Sequence, residues 1–326
     1  MKRPAPPKML PNPVPDWRTA DPTSPVVAAI LAEPGHGHPP DGFQVVEPEG
    51  RAVLYDFCLM PYASLANPYP RLQTQNLLRW SFDRMGVGTE GAGVIANLQR
   101  ILGPQCTVWG VKHRPDQDDL WWEFYFYRRD HVPSALSLDL VRPAFPMPID
   151  ARPPADVAWT FFSVELTVEH LRAGKPAHVR LYQEGLDLSW KVQGDAVELE
   201  NHYRHFEVDG EIVPLVQALQ SSVHAPRHPL TLARLLPPQL LPAWRIWLAR
   251  KRRADTVYFQ RVSVAQVAWM CKRHAWPADF CQALDGAAPY LQHALFDLGV
   301  DFARGEPPAA GEPPLVFGKA GIYASF

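Results

Sequence analysis

The chain has 326 residues, 47% hydrophobic and 20% charged, with a formal net charge of -2 at pH 7. That balance offers no global basic field to attract nucleic acid, and no apolar run is long enough to span a bilayer, so neither nucleic acid nor membrane is an expected partner. The four cysteines, Cys58, Cys106, Cys271 and Cys281, show no CxxC spacing; they are expected to be reduced core residues of a cytoplasmic protein.

Twelve of the 36 prolines lie in the first 50 residues. Proline lacks an N–H and disfavours helix in the residue before it, so residues 1–25 are expected to form an extended arm and 26–326 a single α/β domain. Val26–Glu33 suits a short helix and Arg51–Met60 a first strand. Arg71–Gly103 reads as helical, with Leu77, Leu78, Phe82 and Met85 on one face and Val94, Ile95, Leu98, Ile101 and Leu102 resuming the period.

Cys106–Arg128 reads as two strands joined by a Pro/Asp turn. The second puts Trp122, Phe124 and Phe126 on one face and Trp121, Glu123, Tyr125 and Tyr127 on the other. Further along, Val157–Leu166, Ala177–Glu184, Asp187–Val192, Ala196–Phe206 and Thr256–Val262 read as strands. Helices are expected at Thr167–Ala173, Ile212–Ser222, Leu232–Arg253, Ala265–His274, Ala278–Leu284 and Pro289–Phe302. The C-terminal PPLVFGKAGIYASF ends the chain as a strand. Hairpins dominate, so the fold class is α+β, a mainly antiparallel sheet with helices packed on one face.

Familiar catalytic signatures are missing. Gly86-Val-Gly88-Thr-Glu-Gly91 matches GxGxxG, yet the charged RWSFDRM before it is not the buried strand that a dinucleotide site requires. There is no P-loop and no GxSxG, and no cofactor is expected. His202 and His205 face opposite sides of a strand, and His224 and His228 flank two prolines in a loop, so neither pair is expected to share a metal. Asp116–Asp119 sits where turn chemistry favours aspartate. The run Arg250-Lys251-Arg252-Arg253 reads as a solvated helix C-terminus, with a phosphate-binding patch as the alternative.

What remains is the polar face of the sheet. Strand parity puts Lys112, Arg180, Lys191, Arg204 and Lys319 there, with Glu123, Glu165 and several tyrosines. A solvated sheet face or an interface shows the same alternation. The many aromatics on that face favour a cavity, since together they would make an unusually large exposed apolar patch.

Three segments, VWGVKHR…WWEFYFYR, VYFQRVSVAQVAWMCKRHAWP and FGKAGIYASF, resemble strand pairs and strand–helix steps of the αββα-barrel aromatic prenyltransferases. The resemblance covers about a fifth of the chain. It implies a sheet closed into a barrel with a polar lumen, and transfer of a prenyl group from its diphosphate to an aromatic or peptide acceptor. On that reading Lys112, Arg180, Lys191 and Lys319 bind diphosphate, and Tyr125, Tyr182, Tyr258 and Tyr323 form a collar around the allyl cation. Glu123, its pKa raised by desolvation, orients or deprotonates the acceptor. The competing readings are a non-catalytic recognition or partner subunit of a biosynthetic or maturation complex, and a histidine-ligated metal enzyme.

Overall fold

The computed structural model describes residues 53–63, 73–115, 117–154, 157–228, 230–306 and 314–325. The expected arm over 1–25 and the short helix over Val26–Glu33 lie outside them.

Two short strands, β1 (Val53–Tyr55) and β2 (Pro61–Ala63), pair with each other. Ten more close into an antiparallel barrel: β3 (Val108–His113), β4 (Leu120–Tyr127), β5 (Phe161–Leu166), β6 (Val179–Gln183), β7 (Leu188–Gln193), β8 (Ala196–Glu207), β9 (Arg245–Lys251), β10 (Asp255–Ser263), β11 (Leu295–Arg304) and β12 (Leu315–Ser325). Each barrel strand pairs with its neighbours in sequence, and β12 closes on β3 with Gly321 opposite Lys112 and Tyr323 opposite Gly110. A closed barrel leaves no unpaired sheet edge among these strands.

Helices pack around the outside. α1 (Thr74–Arg84) and α2 (Gly88–Leu102) precede the barrel, and α3 (Leu138–Val141) and α4 (Val168–Ala173) flank β5. α5 (Val208–Gln220) and α6 (Leu230–Leu235) join β8 to β9, and α7 (Val264–Arg273) and α8 (Ala278–Ala287) join β10 to β11. The period-two alternation separates two interiors. Trp122, Phe124 and Phe126 are fully buried on the outer face, as parity predicts. Phe82 of α1 stacks on Trp122 with ring centroids 4.2 Å apart, and the Trp122 indole N–H donates to Ser81 Oγ at 2.8 Å. The other residues of the alternation point into the lumen.

The glycines of the GxGxxG stretch serve helix packing. Gly86 takes a positive φ of 67° at the turn between α1 and α2. A Cβ on Gly91 would sit 2.3 Å from the Phe82 ring, so the glycine lets the two helices touch.

Four expected elements differ from the structure. Arg51–Met60 is not one strand: β1 turns at Leu59, which has φ 52°, and returns as β2. Leu232–Arg253 holds only the short α6, after which Arg245–Lys251 is strand β9. Pro237, Pro238 and Pro242 stop the helix, and Ile246 and Leu248 are buried on the outer face while Trp247 lines the lumen. Pro289–Phe302 holds strand β11 from Leu295, its outer face built by Phe296, Leu298, Val300 and Phe302 at period two. Finally, β8 carries a bulge at Glu200: Ser189 pairs with Asn201 but Trp190 with Leu199. The extra residue reverses the faces beyond it. Arg204 therefore leaves the lumen and lies over the Phe206 ring at 4.7 Å, while Tyr203 turns inward.

Candidate active site

Five tyrosines from five strands meet in the middle of the lumen. Tyr125 (β4), Tyr182 (β6), Tyr203 (β8), Tyr258 (β10) and Tyr323 (β12) form a closed ring. Successive centroids are 6.2, 6.2, 6.4, 6.2 and 5.9 Å apart; the Tyr125–Tyr323 pair meets edge to face and the other four are tilted. The collar needs glycines beside it. A Cβ at Gly299 would lie 2.6 Å from the Tyr258 ring, and one at Gly110 would lie 2.6 Å from that of Tyr323. These are the positions paired with Tyr258 and Tyr323 across the neighbouring strands. Each tyrosine lies flat on backbone that a side chain would otherwise cover.

One side of the collar is polar, with about 300 Å³ of space that is partly open to solvent, lined by Lys112, Arg180, Lys251, Lys319, Glu123 and Glu200. Lys112 Nζ donates to Glu123 and, at 2.8 Å, to Glu165. Arg180 binds Glu123 and Glu165, each at 3.1 Å, and Glu200 at 2.6 Å. Lys251 Nζ donates to Asp301 at 2.9 Å, and Lys319 stands 3.9 Å from the same carboxylate. These four cations thus face four carboxylates, and Lys319 is held most loosely of the four. Burial and the neighbouring Lys251 and Lys112 charges pull Lys319 down to about 8, against the attraction of Asp301.

Glu123 differs from the expectation. It is 1% exposed and accepts hydrogen bonds from Lys112, Arg180, Ser163 and the Tyr125 hydroxyl. Burial does push its carboxyl up, but the Lys112 and Arg180 charges outweigh burial and hold it at about 2. It is an ionised, fully bonded carboxylate, not a base with a raised pKa.

The other side of the collar is apolar, with about 700 Å³ of space that is partly open to solvent. Tyr127, Phe161 and Tyr182 stack in a ladder with 4.2 Å between successive rings, and Phe57, from the β1–β2 turn, meets Tyr125 at 4.8 Å and Tyr323 at 4.9 Å. Trp247 and Asp297 also line this space.

Of the expected site residues, Lys112, Arg180, Lys319, Glu123, Tyr125, Tyr182, Tyr258 and Tyr323 are all in the lumen. Lys191 faces the lumen side opposite Arg180 but is half-buried beyond the chamber lining. Lys251, Tyr203 and Asp297 were missed. Lys251 was hidden in a basic run read as a helix end, Tyr203 by the bulge, and Asp297 by a helical reading of β11. Among the described residues, no group of three or more His, Cys, Asp or Glu is placed to hold a metal ion. The sequence matches no known family model and no curated protein, so the functional reading rests on the lumen.

Proposed function

We propose that this protein is a transferase that moves a prenyl group from its diphosphate to an aromatic or peptide acceptor inside the barrel. The observation that carries the reading is the tyrosine collar, which joins a chamber of cations to a chamber of aromatic rings. A departing diphosphate is stabilised by several preorganised cations, the part taken by Lys112, Arg180, Lys251 and Lys319. A forming allyl cation is stabilised by π faces and harmed by water, the part taken by the collar with Phe57, Phe161 and Trp247. Glu123 holds Lys112, Arg180 and the Tyr125 hydroxyl in register rather than acting as a base. An arriving diphosphate competes with the lumen carboxylates for these cations, and loosely held Lys319 gains most from it.

Thermal unfolding with pyrophosphate, dimethylallyl diphosphate or geranyl diphosphate tests the reading. At a hundredfold excess over Kd, binding stabilises the fold by about 2.7 kcal/mol. Replacing Lys112 and Lys319 together by methionine is expected to abolish the shift. If none of the three ligands moves the midpoint of the wild-type protein, the reading fails. The second reading, a recognition or partner subunit, is favoured by Leu199 and Val197 on the outer face of β8, which are 59% and 37% exposed.

A further inference from the structure

This inference rests on the transferase reading and names the residue that meets the acceptor. Glu123 lies on the cation side of the collar, and its oxygens are already taken by Lys112, Arg180, Ser163 and Tyr125. Among the described residues, the aromatic chamber on the other side has no lysine, arginine or histidine in its lining. It does hold carboxylates. Glu184 is exposed and engaged by Arg129 at 2.7 Å, and Asp187 is only half-buried, in the β6–β7 turn.

Asp297 is different. It is 4% exposed, lies on β11 directly opposite Tyr323 of the collar, and lines the chamber. Backbone N–H groups anchor it, that of Arg261 at 3.1 Å among them. The nearby guanidinium of Arg261 is spent on Asp56, whose carboxylate also accepts from Gln260 and from the N–H groups of Cys58 and Met60. Asp56 is therefore saturated, and Asp297 makes no ion pair among the described residues, although the Arg261 charge still draws it down. Burial first, and then the Asp56 charge, push the Asp297 carboxyl well above the usual carboxylate range, which makes its ionised form a stronger proton acceptor. A second polar group stands in the same chamber: the hydroxyl of Tyr127 is buried and makes no hydrogen bond among the described residues. A buried, unpaired hydroxyl is costly unless something binds it.

We propose that Asp297 is the catalytic residue on the acceptor side, receiving the N–H or O–H of the acceptor nucleophile in the aromatic chamber, with the Tyr127 hydroxyl as a second contact. The C1–O bond of the prenyl diphosphate breaks, and its electron pair leaves with the diphosphate toward the lumen cations. The acceptor gives an electron pair to C1, and the proton it sheds passes to the Asp297 carboxylate and then to solvent. Atoms and charge balance without a further reactant. The acceptor class follows from the lining: an indole, phenol or guanidine with a hydrogen to donate fits, and one bearing a carboxylate or phosphate beside the reacting atom is repelled.

The test incubates full-length protein with dimethylallyl diphosphate and, in separate arms, N-acetyl-tryptophanamide, N-acetyl-tyrosinamide or N-acetyl-argininamide, with products read by mass spectrometry. The wild-type protein is expected to prenylate at least one of them. Asp297→Asn is expected to lower transfer by about a hundredfold or more, in the range of general acid–base contributions, while the thermal shift with dimethylallyl diphosphate stays unchanged. Should the Asn variant fail to fold, the wild-type protein still decides. A methyl cap on the donor nitrogen or oxygen of the accepted compound is then expected to weaken its competition about tenfold. Transfer by Asp297→Asn within threefold of wild type, or equal competition by the capped compound, overturns the inference. So does a wild-type protein that binds dimethylallyl diphosphate but prenylates none of the three. A wild-type protein that does not bind dimethylallyl diphosphate at all overturns the transferase reading itself.

Discussion

Lys319 is the residue at which charge and burial are most finely opposed. Burial and two neighbouring lysines pull its pKa to about 8, while Asp301 at 3.9 Å resists. An anion that binds beside it needs the charged form, so binding weakens as pH rises through about 8 and the ammonium is lost. Pyrophosphate is expected to bind the wild-type protein roughly tenfold more weakly at about pH 9 than at about pH 7, once the trend seen in Lys319→Met is subtracted. That variant carries the ionisation of the ligand itself. Calorimetric titration of both proteins checks it, and parallel pH profiles would remove Lys319 from the anion site. Glu123 makes the opposite point. Two residues of similar burial shift in opposite senses relative to what desolvation alone does, because Glu123 has two cations in contact and Asp297 has another carboxylate nearby.

At the scale of the strand, the collar depends on residues that have no side chain. Gly110 and Gly299 are strand glycines, ordinarily a weakness in a sheet, and each gives a tyrosine ring the backbone it rests on. Gly299→Ala is expected to displace Tyr258, to destabilise the fold by about 1–3 kcal/mol through overpacking, and to weaken diphosphate binding with it. Gly210→Ala is the control: the exposed Gly210 in α5 has nothing within 4 Å of an added Cβ, and alanine favours helix by about 1 kcal/mol or less. Urea unfolding of the two variants separates them. Equal midpoints would mean that the collar tolerates the added methyl. The bulge at Glu200 works at the same scale. One extra residue turns Tyr203 inward to complete the ring and sends Arg204 out, while Glu200 reaches Arg180.

Across the whole molecule, the lumen is a second interior built from charge rather than from hydrocarbon. Its carboxylates tie the acid stability of the fold to the barrel. The lysine and arginine charges, working against burial, hold Glu123 and Asp301 each at about 2. The unfolded chain takes up protons at these groups first, near their ordinary values of 4.5 and 3.8. Stability from them is therefore complete above about pH 4.5 and is lost as pH falls toward 2. The thermal midpoint is expected to drop steeply across that window, and to drop less in Glu123→Gln, which has one carboxylate fewer to protonate. A flat midpoint between about pH 4.5 and 3 would mean that the lumen ion pairs contribute nothing net, as some buried pairs do.

The sequence by itself determined which residues share a face within each strand. Trp122, Phe124 and Phe126 lie against helices, and Glu123 and Tyr125 against the lumen, because side chains alternate along a strand whatever lies beyond it. It also determined that β3 and β4 form a hairpin and that the sheet is mainly antiparallel, since short turns join consecutive strands. Where period-two and helical patterns overlap, as in Leu295–Arg304 and Arg245–Lys251, local reading chose helix and lost Asp297 and Lys251. Only the tertiary structure decided that the sheet closes, with β12 on β3, and that Tyr125, Tyr182, Tyr203, Tyr258 and Tyr323 meet in one ring. It also decided that Lys112 and Arg180, far apart in sequence, share Glu123 and Glu165. Closure is a property of ten strands at once: register, bulge and the space left by glycines are set between chain segments as much as two hundred residues apart, and alternation within one strand carries no record of its partners.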